Sequence, residues 1–160
     1  MNRGYVYSSQ FISDDQAAAE FLRKNPKAPQ SPRVVKFRTG CYKRQWVENV
    51  VAIGNAGGFV EPLEATALMI ICGNIQMLME ILNRSLFQPT PGMRTILNQY
   101  TGKSWGDIRD FLAVHYQLNT ALDTPFWQHC RADADLGGAA ALVDFYQENG
   151  PNGFLPLPAF

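Results

Sequence analysis

The chain has 160 residues, of which 46% are hydrophobic and 18% are charged, and its 14 basic and 14 acidic side chains give a formal net charge of zero. This composition is typical of one globular domain with a real core, and it argues against extended disorder. The neutral balance gives no electrostatic reason to expect a nucleic acid or an anionic membrane as partner. Three scattered cysteines, Cys41, Cys72 and Cys130, predict no disulfide framework and no metal site, and the N-terminus has no apolar signal core. A cytoplasmic protein is therefore expected.

The N-terminal third predicts short strands around one helix. Ser13 and Gln16 have the spacing of a capping box, which predicts a helix that runs to Lys24. Alternating or β-branched residues predict strands over residues 4–11, 33–37 and 45–53.

The remainder of the sequence predicts helices. The apolar residues 65–82 are interrupted by polar ones, which favours a buried helix over a membrane span. Thr90, Ser104 and Thr124 are predicted helix starts. The second of these helices should bury one apolar stripe, formed by Trp105, Ile108, Phe111, Leu112 and Tyr116.

A last, alanine-rich helix is predicted over residues 136–148, and an extended, docked tail over residues 152–160. Strands that precede helices predict an α+β fold. We expect one unit, residues 1–160, with strands and a glycine turn in about 1–63 and helices in about 64–160.

The most informative stretch is the glycine-rich turn, residues 54–58, which joins a predicted strand to a predicted helix. Glycines let the backbone approach a flat or anionic ligand, and the free N–H groups of the next helix form an anion site. The same residues can also be a tight connection in which Glu61 and Glu64 favour the positive helix end. Neither a dinucleotide fingerprint nor a P-loop occurs in the chain. The spacing alone leaves both interpretations open.

Residues 46–66, WVENVVAIGNAGGFVEPLEAT, closely resemble the flavin-dependent tryptophan halogenase family. Further matches are GYVYSS at residues 4–9, His115-Tyr116, and DTPFW at residues 123–127, so that the resemblance is collinear over about residues 4–150. It implies the back part of a fold like those of FAD-dependent halogenases and aromatic hydroxylases. The family's dinucleotide fingerprint and tunnel lysine have no counterpart here, so the resemblance is to the C-terminal portion only.

The resemblance implies a reaction in which reduced FAD, supplied by a separate flavin reductase, and oxygen oxidise chloride or bromide. The halogenating species then reaches a separate pocket that holds the aromatic substrate. In this sequence the implied catalytic base is Glu64, and the implied halide site is the backbone N–H groups of Thr66 and Ala67. The implied flavin-side residues are Gly54, Asn55, Ala56, Gly57, Gly58, Pro62 and Leu68.

The implied substrate-side residues are His115, Tyr116, Leu122, Phe126 and Trp127, with no metal ligand among them. Relatives that act on free tryptophan bind its carboxylate with two adjacent tyrosines and its amine with a glutamate. In this sequence His115 stands in the place of one of the tyrosines, and Leu122 stands in the place of the glutamate. Losing the charge-assisted contact between the glutamate and the amine costs about 1.5–3 kcal/mol. We therefore expect a larger or less polar indole or phenol, or a carrier-tethered one. His115 itself is expected to be a packed, hydrogen-bonded side chain.

Two other hypotheses stay open at the level of sequence. The chain could belong to a flavin-dependent aromatic hydroxylase, or it could be a non-catalytic helical binding module that kept the family core. Under the halogenase hypothesis its partners are the substrate, a flavin reductase and the missing N-terminal half, without which we expect no turnover.

Overall fold

The computed structural model describes residues 3–28 and 31–151, and within them the predicted α+β class is confirmed. The helices are α1 (Asp14–Lys24), α2 (Thr66–Arg84), α3 (Pro91–Gln117), α4 (Pro125–Asp133) and α5 (Ala140–Asn149). The strands are β1 (Gly40–Cys41), β2 (Trp46–Val47), β3 (Val50–Val51) and β4 (Gly58–Phe59). The predicted tail, residues 152–160, lies outside the described residues.

The strands form two small antiparallel pairs. β1 pairs with β4, and β2 pairs with β3 as a hairpin. The single strand predicted over residues 45–53 is wrong, because the chain reverses at Glu48, whose φ is +50°. The indole N–H of Trp46 donates to the carbonyl oxygen of Glu48 at 3.1 Å and stabilises this reversal.

The strands predicted over residues 4–11 and 33–37 are also wrong. Both segments lack a pairing partner in the described part of the chain, although their side chains have strand-like character. Val34 and Val35 remain exposed, and so does Phe37. An alternating pattern marks which residues suit a sheet, but a strand forms only where another strand accepts its backbone hydrogen bonds.

Helix α1 begins as predicted. The Ser13 hydroxyl accepts the backbone N–H of Gln16 at 3.3 Å, and the Gln16 side chain accepts the backbone N–H of Ser13 at 3.1 Å. This capping box is confirmed, as is the end of the helix at Lys24.

Helix α2 forms where an apolar helix was predicted, but most of it is not buried. Its buried residues are Ile70, Asn74 and Ile81, whereas Leu68 and Met69 are 64% and 51% exposed. Among the described residues, α2 is long and apolar enough to cross a membrane, with a mean hydropathy of 1.4. The core helix of a soluble protein passes the same test.

Helix α3 is a single helix of 27 residues, so the predicted start at Ser104 is wrong. The Ser104 hydroxyl donates to the carbonyl oxygen of Tyr100 at 2.9 Å, which lets a serine sit inside a continuous helix. Trp105, Ile108 and Leu112 are buried as predicted. Phe111 is 37% exposed and was wrongly placed in the buried stripe.

Two apolar clusters fix the positions of the helices and the hairpin around the glycine turn. Ile70, Trp105, Ile108 and Leu112 join α2 to α3, with Val60 and Tyr116 packed against them. Trp46, Ile81 and Leu97 join the hairpin to the same two helices. The segment between the hairpin and α2, which carries the glycine turn, is therefore held at both ends.

Candidate functional site

The glycine turn owes its glycines to the chain's own packing. Gly54 has φ +61°, a conformation that side-chain-bearing residues rarely adopt. A Cβ on Gly57 would lie 2.9 Å from the side-chain carbonyl carbon of Gln45, and a Cβ on Gly58 would lie 2.6 Å from the Cβ of Cys41. The outward-facing part of the turn is Asn55 with Ala56, since both are exposed.

The start of α2 has an unusual backbone. Ala65, just before Thr66, is left-handed with φ +53°, and the described residues place no side-chain cap on this helix. The Thr66 N–H donates to the carbonyl oxygen of Leu63, so one of the two amides predicted for the halide already has an internal acceptor. Glu64 contributes its backbone to the 3₁₀ turn Leu63–Ala65, and its side chain lies outside the described part of the structure.

Three rings form what we call the aromatic cluster: Tyr116 near the end of α3, and Phe126 and Trp127 at the start of α4. Tyr116 stacks on Trp127 with ring centroids 5.5 Å apart and planes 20° apart. Phe126 meets both rings edge to face, 6.0 Å from Tyr116 and 5.1 Å from Trp127. A third ring between Tyr116 and Trp127 would need two contact spacings of about 3.5 Å each, which is more than the 5.5 Å between their centroids. An indole must therefore stack outside this pair.

Glu61 connects the glycine-turn segment to the aromatic cluster. The Tyr116 hydroxyl donates to a carboxylate oxygen of Glu61 at 2.5 Å. Burial raises the pKa of Tyr116, and the hydrogen bond to Glu61 and the charge of that carboxylate raise it further. The sequence identified Glu61 only as a carboxylate near a helix start, and its contact with a tyrosine 55 residues away was missed.

His115 and Leu122 stand apart from the cluster in the contacts they make. The Nδ1 of His115 lies 2.8 Å from the carbonyl oxygen of Phe111, and the two rings are 4.3 Å apart. The expected hydrogen bond is present, but the side chain is exposed, so the expected burial of this histidine is wrong. Leu122 is 54% exposed, and its backbone carbonyl accepts a hydrogen bond from Arg131 at 2.9 Å.

Arg131 organises the loop between α3 and α4, a role that sequence reasoning missed. Besides Leu122, its guanidinium donates to the carbonyl oxygen of Asn119 at 3.0 Å and to the carboxylate of Asp123 at 2.6 Å. The loop that follows Tyr116 is thereby fixed to the helix that carries Phe126 and Trp127. Within the described residues no cluster of side chains could hold a metal ion.

A groove of about 1070 Å³ borders the glycine-turn segment. Its walls come from the N-terminal segment, α1 and residues 31–37, and it reaches Phe59 and Pro62. Of the predicted flavin-side residues, Pro62 borders this groove, and Leu68 is exposed on α2. Thus the structure brings together Tyr116, Phe126 and Trp127, and it leaves His115 and Leu122 outside their ring contacts.

The fold and site define an α+β unit in which an aromatic cluster lies beside a glycine turn and a helix start. The family model for tryptophan halogenase matches residues 1–153. Tryptophan 7-halogenase KtzQ from Kutzneria sp. (strain 744) is 38% identical over 150 residues, which cover 92% of this chain and 28% of that protein. The chain belongs to the tryptophan halogenase family.

Solved structures agree. The lanthipeptide tryptophan 5-halogenase MibH is 40% identical with a TM-score of 0.80, covering 89% of this chain and 27% of that one. Xcc4156, a flavin-dependent halogenase from Xanthomonas campestris, is 28% identical with a TM-score of 0.79, covering 96% of this chain and 31% of that one. The chain therefore spans less than a third of the length of these relatives.

Proposed function

We propose that this chain supplies the halide-side turn and the substrate side of a flavin-dependent halogenase that acts on an electron-rich aromatic ring. The observation that carries the proposal is the hydrogen bond between Glu61 and Tyr116. It joins the segment predicted to face flavin and halide to the rings predicted to hold the substrate. Family membership supports the same division of roles.

The turn offers surfaces that fit a flat cofactor and a small anion. Exposed Asn55 and Ala56 would lie against the isoalloxazine ring of FAD, since the glycines around them are packed inward. Bound reduced FAD supplies the oxidising chemistry, with oxygen, that turns chloride or bromide into an electrophile. The uncapped first turn of α2, with the N–H of Ala67, carries the positive partial charge that favours a halide. The N–H of Thr66 would be a second donor to the halide, shared between the anion and the carbonyl oxygen of Leu63.

The substrate side then performs an aromatic substitution. Phe126 and Trp127 are partly exposed, and an indole would stack on a ring face outside the Tyr116–Trp127 pair. A carbon–halogen bond forms at a ring carbon, and the carbon–hydrogen bond there breaks as aromaticity returns. In this proposal the proton goes to the Glu64 carboxylate, which acts as general base.

A dinucleotide-binding portion is the partner that this proposal requires. Apolar side chains of α2, including Leu68, Met69, Ile75 and Met79, are between 43% and 64% exposed. Exposed apolar surface of this extent is typical of an interface. A flavin-binding part of the fold that covers α2 and the groove explains why these side chains are not buried by the chain itself.

The experiment combines the purified chain with the flavin-binding portion of the relative MibH, FAD, a flavin reductase with NADH, oxygen, chloride and an indole substrate. Mass spectrometry should detect replacement of one hydrogen by chlorine, and by bromine when bromide replaces chloride. Product that contains oxygen and is independent of halide would instead identify a hydroxylase.

Matched variants locate the chemistry. Glu64→Gln should abolish the product, whereas Glu148→Gln, the same change at an exposed residue of α5, should leave it unchanged. A reconstituted complex that forms, binds FAD and yields no product with indoles or phenols contradicts the proposal and supports a non-catalytic binding module.

A further inference from the structure

Residues 3–7 have the geometry of a strand although no strand pairs with them. Their alternate side chains all hydrogen-bond to α1: Arg3 to Asn25, Tyr5 to Glu20, and Tyr7 to Asp14. A period of two is that of a β-strand, in which successive side chains point to opposite faces. The partners follow in reverse order along α1, so the segment runs antiparallel to the helix with one face against it.

The backbone of this segment is available for pairing, and so is the backbone of residues 33–37. Neither segment makes a backbone hydrogen bond to another described residue. Lys36 lies 3.6 Å from the carboxylate of Asp14, so the second segment also borders α1. Unpaired backbone N–H and C=O groups in an extended segment form the kind of edge to which a further strand is added.

Both segments line the groove of about 1070 Å³, together with Ala17, Ala18 and Phe21 of α1. The groove is apolar as well as unpaired, since Val6 and Val35, which line it, are 43% and 64% exposed. An extended strand over α1 would bury alternate apolar side chains against the helix and would satisfy both backbone edges. A helix or an irregular loop would leave these edges unpaired.

The charges of the groove disfavour a second copy of this chain as its occupant. Lys27 and Arg33 line the groove and have no ion-pair partner among the described residues, whereas the lining carboxylate, Asp14, is already bonded to Tyr7 and Lys36. Two copies that met groove to groove would bring these basic side chains together, and like charges oppose such a pairing.

We propose that the groove is a strand-addition site, in which an extended strand from the N-terminal portion of the halogenase fold lies over α1 and pairs with residues 4–7 and 33–37. The match to MibH covers only 27% of that chain, so most of the fold lies outside the present chain and can supply this strand. The inference rests on the proposed function, in which the N-terminal portion is the required partner.

Hydrogen exchange of single backbone amides tests the pairing. The ¹⁵N-labelled chain is measured alone and in complex with the flavin-binding portion of MibH. A neighbouring strand accepts the N–H of every second residue, so exchange in the complex should slow by at least about tenfold at alternate residues of 4–7 and of 33–37. In the chain alone these amides should exchange as unpaired backbone does.

Val34→Pro and Val35→Pro form a matched pair of variants. Proline removes the N–H, and adjacent residues of a strand point their N–H groups to opposite edges. One of the two substitutions should therefore weaken the complex by about tenfold or more, and the other should leave its affinity within about twofold. Neither N–H is bonded in the chain alone, so both variants should unfold at the temperature of the wild type.

The outcomes separate this inference from the proposed function. Slowed exchange at alternate residues with one disruptive proline supports the added strand, whether or not the complex halogenates an indole. A complex that forms without slowed exchange in the two segments, or that binds both proline variants equally well, overturns the strand and leaves the proposed function to its product assay. Slowed exchange in the concentrated chain alone would assign the groove to a second copy, which also overturns the inference. If the chain and the MibH portion do not associate, both proposals fail.

Discussion

Removing the side chain of Asn98 should release the hairpin that leads into the glycine turn. The Asn98 carboxamide oxygen accepts the backbone N–H groups of Gln45 and Trp46 at 2.7 and 2.8 Å. Its amide nitrogen donates to the carbonyl oxygen of Trp46 at 3.0 Å. One side chain on α3 therefore makes three hydrogen bonds to the backbone at β2, and Asn98→Ala removes all of them.

The loss of stability expected for Asn98→Ala can be estimated from these three hydrogen bonds. A hydrogen bond in a folded protein contributes about 0.5–1.5 kcal/mol net, so three partly buried bonds give a loss of about 2–4 kcal/mol in the free energy of unfolding. Asn98→Asp keeps both acceptor contacts and loses the donor to Trp46. It should cost about 1–2 kcal/mol.

Urea unfolding followed by circular dichroism measures these losses. Asn83→Ala, an asparagine truncation at an exposed position of α2, is the matched control and should stay within about 0.5 kcal/mol of the wild type. If Asn98→Ala unfolds at the same urea concentration as the control, or if Asn98→Asp is as unstable as Asn98→Ala, the hydrogen bonds do not hold the hairpin and the reasoning is refuted.

Four further substitutions have defined outcomes. Gly102→Ala should stabilise α3 by about 0.5–1 kcal/mol, because the added Cβ meets nothing within 4 Å. Gly58→Ala should destabilise the protein, because the added Cβ would lie 2.6 Å from the Cβ of Cys41. Equal urea midpoints for the two variants would contradict this reasoning. Ala65→Gly should raise stability by roughly 0.5–1 kcal/mol, since φ is +53° at this position, and a thermal midpoint below that of the wild type would argue against strain there. The pKa of Tyr116 is raised in the folded state, so the folded protein holds its proton where the unfolded chain has lost it, and stability should fall as the pH rises above about 10. Tyr116→Phe should weaken that decline in alkaline unfolding curves, and an unchanged slope would exclude Tyr116 as its source.

Local signals in the sequence predicted where helices α1 and α3 begin, although they also predicted a start at Ser104 that does not exist. The Ser13 capping box and the Thr90 cap are both present, because each needs only residues within one helical turn. Strands were predicted poorly, because pairing depends on residues distant in sequence. The valines at 34 and 35 suit a sheet, but within the described residues no neighbouring strand accepts them.

The difference between local and distant contacts also explains which residues of the candidate site could be predicted from the sequence. Phe126 and Trp127 are adjacent in a motif, so a resemblance could identify them, and the structure places Tyr116 against them. The contact of Glu61 with Tyr116 and the loop contacts of Arg131 join separate elements through side chains. No local pattern marks a side chain that bonds a distant tyrosine or a backbone carbonyl oxygen, so the contacts of Glu61 and Arg131 could be found only from the structure.

The backbone that carries the proposed base is fixed from both sides. Glu61 is bonded to Tyr116 just before the 3₁₀ turn Leu63–Ala65, and Ile70, 3% exposed, anchors α2 in the core just after it. Between these anchors Ala65 adopts a left-handed conformation that side-chain-bearing residues avoid. Strained backbone of this kind persists only where the surroundings over-determine it, and it concentrates at functional sites. Because the first anchor is also the contact to the aromatic cluster, a substitution at Tyr116 should disturb the position of the turn and the packing of the rings together.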